Sequence, residues 1–170
     1  MRVSQGLRYV RTLEPNQSII GLMIRVAISR IVVEAAQGIP PEFLSDDLRQ
    51  EAEACSKQLG LDWERALLGE SASVADCYRK LSEGKMNLSE MSDALDGNTW
   101  QRAVYAVGGT PLVLLDELSY LDWVNRVQND PRTSATNSSF LLASAFTFNA
   151  AKVTERLQEA RQGLESLAGR

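Results

Sequence analysis

The chain has 170 residues, 44% of them hydrophobic and 24% charged. That is ordinary for a single globular domain with a real core. It contains no histidine, which excludes Ser-His-Asp and Cys-His nucleophile arrangements and His-ligated zinc, and two cysteines cannot build a Cys₄ zinc site. The net charge of −4 is unevenly spread: residues 1–30 carry five arginines and one acid, residues 31–100 six bases and fourteen acids, and residues 101–170 seven of each. An acidic middle argues against nucleic acid, which needs a concentrated basic footprint; it reads first as a solvated helix face, and otherwise suits a basic protein partner by steering.

Residues 2–13 carry Val3, Leu7 and Val10 at helical spacing, with Arg2, Arg8 and Arg11 off that face. Pro15 stops this helix, because the residue before proline avoids helical backbone. Asn16 or Ser18 then caps a second helix running to Gln37. From Ile19 to Val33 that helix is apolar except for Gly21, Arg25, Ser29 and Arg30. Ile20, Ile24, Ala27, Ile28 and Ile31 recur at spacings of three and four, which marks one helical face, and Leu22, Met23, Val26 and Val33 cover much of the rest, so the helix is expected to be hydrophobic nearly all round. The run is short of the roughly 20 residues a bilayer needs, and Arg25 sits in its middle. It reads as the buried central helix and as no membrane span.

Arg25 and Arg30 have two readings. In one, both lie at the edge of the buried face and extend to water, with Arg30 pairing Glu34 one turn on. In the other, a buried arginine pairs with a carboxylate from another helix and lines a site.

Gly38 to Pro41 turns the chain. A third helix is expected from Pro41 to Leu59, with Leu44, Leu48, Ala52, Cys55 and Leu59 inside and Gly60 as its C-cap. Asp62 then caps a short helix through Trp63, Ala66 and Leu67. After a break at Gly69 to Ser73, Val74, Cys77, Tyr78 and Leu81 mark another, and Asn87 starts one carrying Leu88, Met91 and Leu95. If residues 60–70 turn between antiparallel helices, Cys55 and Cys77 come level and a disulfide is feasible. The other reading is two buried thiols.

Thr99 caps a helix through Trp100, Ala103, Val104 and Val107 that ends at Gly108-Gly109. Thr110-Pro111 starts the next, with Leu114, Leu118 and Leu121 on one face, Leu115 beside them, and Val124 and Val127 on a flank. After a polar loop at 130–137, a long last helix is expected over 138–168. Phe146, Ala150, Val153, Leu157, Ala160, Leu164 and Leu167 alternate steps of four and three in it. That is a coiled-coil-like seam, for packing on this domain or for pairing with a second copy. No segment alternates apolar and polar in the manner of a strand. The expected fold is all-α, an antiparallel bundle of six to eight helices in one domain spanning 1–170.

Leu112 to Glu117 has the form of a Walker B strand, four apolar residues and then Asp116-Glu117. The phosphate-binding glycine loop that ends in Gly-Lys-Ser/Thr is missing. The two carboxylates instead suit the first turns of a capped helix. Gly108-Gly109-Thr110 could cradle an anion before a helix, but reads first as a helix–helix connection. Glu34, Glu51, Glu53 and Glu64 lack the histidines of a di-metal carboxylate bundle. No metal or cofactor is expected. Trp63, Trp100 and Trp123 read as core, rim or interface anchors.

The first residues lack an apolar core before a cleavage site, so the cytoplasm is the default placement. Three stretches, SIIGLMIRVAISRI at 18–31, ERALLGE at 64–70 and YAVGGTPLVLLDELSYLDWVNRV at 105–127, resemble uncharacterised helical proteins of bacteria. Several of these are membrane-anchored or exported, which would imply an extracytoplasmic place if this chain is a piece of such a protein. The resemblance brings no activity and no functional residue.

Two functions follow. The first is a non-enzymatic helical module that binds another protein, of the immunity, inhibitor or adaptor kind. Trp63 and Trp123 are its candidate anchors, and a second copy can join through the last helix. The alternative is a small-molecule or catalytic domain in which Arg25 or Arg30 meets Asp116 or Glu117 in a pocket.

Overall fold

The computed structural model describes residues 3–13, 18–87, 99–130, 132, 143 and 146–169. All regular structure among them is helical: α1 (Val3–Thr12), α2 (Ile19–Gln37), a 3₁₀ turn (Pro41–Phe43), α3 (Asp46–Ser82), α4 (Thr99–Asn129) and α5 (Ala150–Ala168). The chain divides into two compact units. Unit 1 holds residues 1–70 and 152–170, and unit 2 holds residues 71–151.

Among the described residues there are five α-helices where six to eight were expected. The difference comes largely from α3, one helix of 37 residues where three were expected. Its buried positions Leu48, Ala52, Cys55, Leu59, Asp62 and Ala66 step by four and three straight through Gly60. A continuous buried stripe outweighs the roughly 1 kcal/mol a mid-helix glycine costs. Gly60 has a use inside the helix, since a Cβ there would lie 3.3 Å from the Arg161 guanidinium carbon. Asp62 is consequently mid-helix and buried, and caps nothing. Cys55 and Cys77 fall 22 residues apart within this one helix, not level on two antiparallel ones. Both are free thiols.

In unit 1, Ser18 caps α2 by accepting from the Gly21 amide (3.1 Å), and the Glu70 carboxylate accepts from the Ile19 amide (3.3 Å). Both oxygens sit where a helix start exposes unpaired N–H groups. Ser45 accepts from the Leu48 amide (3.3 Å) at the start of α3. Contact registers set the helix directions. Ile19 meets Glu70 and Arg25 meets Asp62, so α2 and α3 run oppositely. Ser56 meets Glu165 and Gly60 meets Arg161, so α3 and α5 do too. Arg8 meets Asp47 and Arg11 meets Glu51, so α1 follows α3. The core of this unit includes Leu7, Val10, Leu22, Val26, Ala36, Leu59, Leu67 and Leu164.

α2 is buried on one side only, where a helix apolar nearly all round was expected to be buried as a whole. Leu22, Arg25, Val26, Ser29, Val32 and Ala36 are buried, while Ile20, Ile24 and Ile31 are 74%, 51% and 61% exposed. Unit 2 shows the same one-sided burial. In α4 the buried residues are Val113, Asp116, Tyr120, Trp123, Val124 and Val127, and Leu114, Leu115, Leu118 and Leu121 are exposed. Each helix carries two stripes at helical spacing, and the stripe holding an ionisable residue faces inward.

The Asp-Glu pair at 116–117 lies in helix, so the Walker B strand geometry is absent. α4 bends at Gly109 (φ 56°, ψ −151°), a backbone state open only to glycine. That bend is where the sequence placed the junction before Thr110-Pro111. In α5, Val153, Leu157, Ala160, Leu164 and Leu167 are all buried, so the heptad-like seam is used within the chain. The last helix begins at Ala150, after a non-helical stretch at 147–149. Its expected start at 138–142 and the helix expected from Leu88 to Leu95 lie outside the described residues. No helix among the described residues is long and apolar enough to cross a membrane.

Candidate functional site

Two buried stripes meet between α2 and α3. Arg25 and Asp62 occupy facing positions, and Arg25 Nη1 donates to Asp62 Oδ2 with the two side chains only 3% and 4% exposed. Burial raises the Asp62 carboxyl above its ordinary value, outweighing the opposing pull of Arg25 and Arg65. Arg25 Nε and Nη2, Asp62 Oδ1 and the buried Ser29 Oγ have no hydrogen-bond partner within the protein. A pair this enclosed cannot reach a substrate. It joins two helices, and it carries the desolvation penalty of two buried charges. Cys55 lies close by, its thiol donating to the Leu7 carbonyl (3.5 Å), and burial pushes it up to about 11.

Arg30, five residues on, is at the surface. It pairs with Glu159 of α5 (3.3 Å), where the sequence offered Glu34. The two helices frame an open groove of about 250 Å³ lined by Arg30, Glu34, Gln37, Glu159 and Gly163. Gly163 makes the close approach possible, because a Cβ there would sit 2.9 Å from Val33 Cγ1. The groove holds one guanidinium and two carboxylates and is smaller than the usual 300–1,000 Å³ of a ligand pocket.

The outer side of α2 is chemically different. Ile20, Ile24, Ala27 and Ile31 step by four, three and four, and all are exposed. Outward-leaning Met23 and Ile28 are partly exposed and Ala35 is exposed, so the centre of this surface is uncharged, with Arg30 and Glu34 at its edges.

Unit 2 is organised around aromatic rings. Tyr78 and Tyr120 lie 6.2 Å apart between centroids, and Phe146 stacks edge-on to both (5.8 and 6.2 Å). Trp123 meets Phe148 edge-on at 5.1 Å and is fully buried, so it is a core residue rather than an exposed anchor. Asp116, also fully buried, accepts from the Ala143 amide (2.8 Å) and ties that backbone to α4. Glu117 is half-buried beside it.

The sequence candidates therefore separate. Arg25, Arg30 and half-buried Trp63 belong to unit 1, and Asp116, Glu117 and Trp123 to unit 2. The carboxylates that pair with the two arginines are Asp62, read from the sequence as a helix cap, and Glu159, which was not singled out. Asp62 was detectable, because it falls in register with Leu48, Ala52, Cys55 and Leu59.

The acidic residues of the middle are extensively paired. Asp47 and Glu51 take Arg8 and Arg11 (2.7 Å each), and Glu53 takes Lys57 (2.6 Å). Asp76 holds Arg79 and Lys80, and Glu83 holds Arg79 and Lys85. Among the described residues no group of three or more His, Cys, Asp or Glu side chains is placed to hold a metal ion. No protein-family model matches the chain, and neither a curated protein nor a solved structure does.

Proposed function

We propose that this chain is a protein-association module. Unit 1 serves as an up-down-up-down helical bundle, and the outer side of α2 is its docking face. The observation that carries the reading is the exposed stripe Ile20, Ile24, Ala27 and Ile31 on a helix whose other side is fully engaged. Single exposed apolar residues are commonplace on protein surfaces. A contiguous row at seam spacing is characteristic of an interaction surface. An enzymatic role has less support: the Arg25–Asp62 pair is sealed, and the α2–α5 groove is small and open.

The partner chemistry follows from the face. It is an apolar helix stripe rather than a basic surface, because much of the acidic middle is neutralised within the chain. The test is capture from lysate with the wild-type chain and with Ile24→Glu, each at low and moderate salt. A partner retained by the wild type at both salt levels and lost with Ile24→Glu is the expected result. Partners retained equally by Ile24→Glu, or released by salt alone, would overturn the α2 face.

The groove supports a secondary reading, a small zwitterionic ligand held between Arg30 and the Glu34 and Glu159 carboxylates. A thermal-shift screen of amino acids and polyamines, repeated on Arg30→Gln, tests it.

A further inference from the structure

We infer that the occupant of the outer α2 stripe is a second copy of this chain, with α2 lying antiparallel against α2. This rests on the association reading above and names its partner. The steps of four, three and four from Ile20 to Ile31 match the seam of a two-helix contact. Charge then narrows the occupants. The stripe is uncharged, and so are Met23, Ile28 and Ala35 beside it, with exposed Glu34 at its C-terminal end and Arg30 at its edge, so a strongly charged partner finds little to pair with. A lipid surface asks for basic residues along the apolar stripe. Arg25 is instead buried against Asp62, and Arg30 is held by Glu159. The surface that fits is another uncharged helix face with the same spacing, and α2 of a second copy is one.

Direction follows from the same residues. With a two-fold axis beside Ala27 and Ile28, Ile24 of one copy lies against Ile31 of the other, and Ile20 lies against Ala35. The small Ala27 at the axis lets the backbones approach. Parallel pairing would set Arg30 beside Arg30 and Glu34 beside Glu34, like charges on like. Antiparallel pairing separates them and gives the closed, isologous contact most homodimers use.

The area sets the strength. Three isoleucines at 74%, 51% and 61% exposure, with Ala27, offer roughly 400 Å² per copy, within the range of a large surface patch. A standard interface takes about 800 Å² per partner. The dimer is therefore weak and concentration-dependent.

Sedimentation velocity on the full chain, from about 1 to about 500 µM, reads this directly for wild type, Ile24→Glu and Leu118→Glu. The expected result is a mass rising toward twice the monomer for wild type and Leu118→Glu. Ile24→Glu stays monomeric, with association weakened at least about tenfold. A wild type that stays monomeric throughout overturns the second copy. If Ile24→Glu nevertheless loses a captured partner, the association reading survives that failure. Loss of the dimer by Leu118→Glu alone moves the interface to α4 and overturns the proposal. A second readout does not depend on a charged substitution. In a Cys77→Ser background, Ala27→Cys is expected to form a disulfide-linked dimer under mild oxidation and Glu34→Cys is not. Equal cross-linking at both positions contradicts the antiparallel seam.

Discussion

Arg25 and Asp62 decide how α2 is oriented, and their energetics predict an asymmetry. Burial already favours the neutral form of Asp62, so the arginine offsets a carboxylate that would otherwise be stranded. Arg25→Met leaves it stranded, and the expected loss at pH 7 is about 3–5 kcal/mol by urea denaturation. Asp62→Asn, which mimics the neutral form, costs less. Arg25→Met combined with Asp62→Leu returns to within about 2 kcal/mol of wild type, because an apolar pair needs no desolvation. The pH dependence has a definite sign. A carboxyl raised in the folded state gives stability that is present below its ordinary value and lost as pH rises through the folded value. Removing Arg25 raises Asp62 further, so the Arg25→Met loss should be largest near neutrality, shrink as pH falls toward the ordinary carboxyl value of about 4, and change little below it. A loss that grows on acidification contradicts this.

The Cys55 thiol, pushed up to about 11 by burial, is expected to resist a thiol reagent at pH 8 in the native chain. Cys77 reacts first, and two equally fast thiols would contradict the assigned burial. The sign is the same as for Asp62: stability is lost as pH climbs from the ordinary thiol value toward 11.

Among the elements, glycines give a clean contrast. Gly163→Ala gains helix propensity of about 1 kcal/mol, but its Cβ meets Val33 Cγ1 at 2.9 Å, and a β-branched neighbour has little room to turn. A net loss of about 1–2 kcal/mol in thermal unfolding is expected. Gly38 has open space and an ordinary φ of −78°, so Gly38→Ala should be neutral or gain a few tenths of a kcal/mol. Ser18→Ala removes the α2 cap and should cost about 1 kcal/mol.

Helix existence was legible at this scale. Ser18, Thr110-Pro111 and the α5 seam all read correctly, because caps and periodicity are local properties. The sequence marked an apolar stripe on α2 and on α4 and did not say which side turns inward. Each carries two stripes at the same spacing, and hydrophobicity favours the wholly apolar one. The stripe that is buried contains Arg25 and Ser29 in α2 and Asp116 in α4. Their burial depends on Asp62 and the Ala143 amide, 37 and 27 residues away in the chain. No local pattern reports such partners. The length of α3 was missed for a related reason, since Gly60 and Gly69 signal a break locally while the buried stripe continues through them.

For the whole molecule, the uneven charge of the sequence becomes internal pairing. The N-terminal arginines, read as a basic segment, meet the acidic start of α3, where Glu51 holds Arg11 and raises its guanidinium. Hydrogen bonds from lysines lower Glu53, Asp76 and Glu83. Stability from these carboxylates is present at neutral pH and lost as pH falls through their folded values, below about 4. Each exposed pair is worth little, so moderate salt should shift the melting temperature only slightly. The surface retains apolar stripes on α2 and α4, and the functional account depends on the α2 stripe facing outward.

The most direct test is thermal unfolding, in dilute solution, of the triple variant Ile20→Gln, Ile24→Gln, Ile31→Gln beside Leu22→Gln, Val26→Gln. An outward stripe predicts a triple-variant Tm within about 3 °C of wild type, while the double variant loses more than about 10 °C. A triple variant that unfolds or falls by more than about 10 °C, with the double variant little changed, would mean the isoleucines are the core. The account of both the buried pair and the docking face would then fail together.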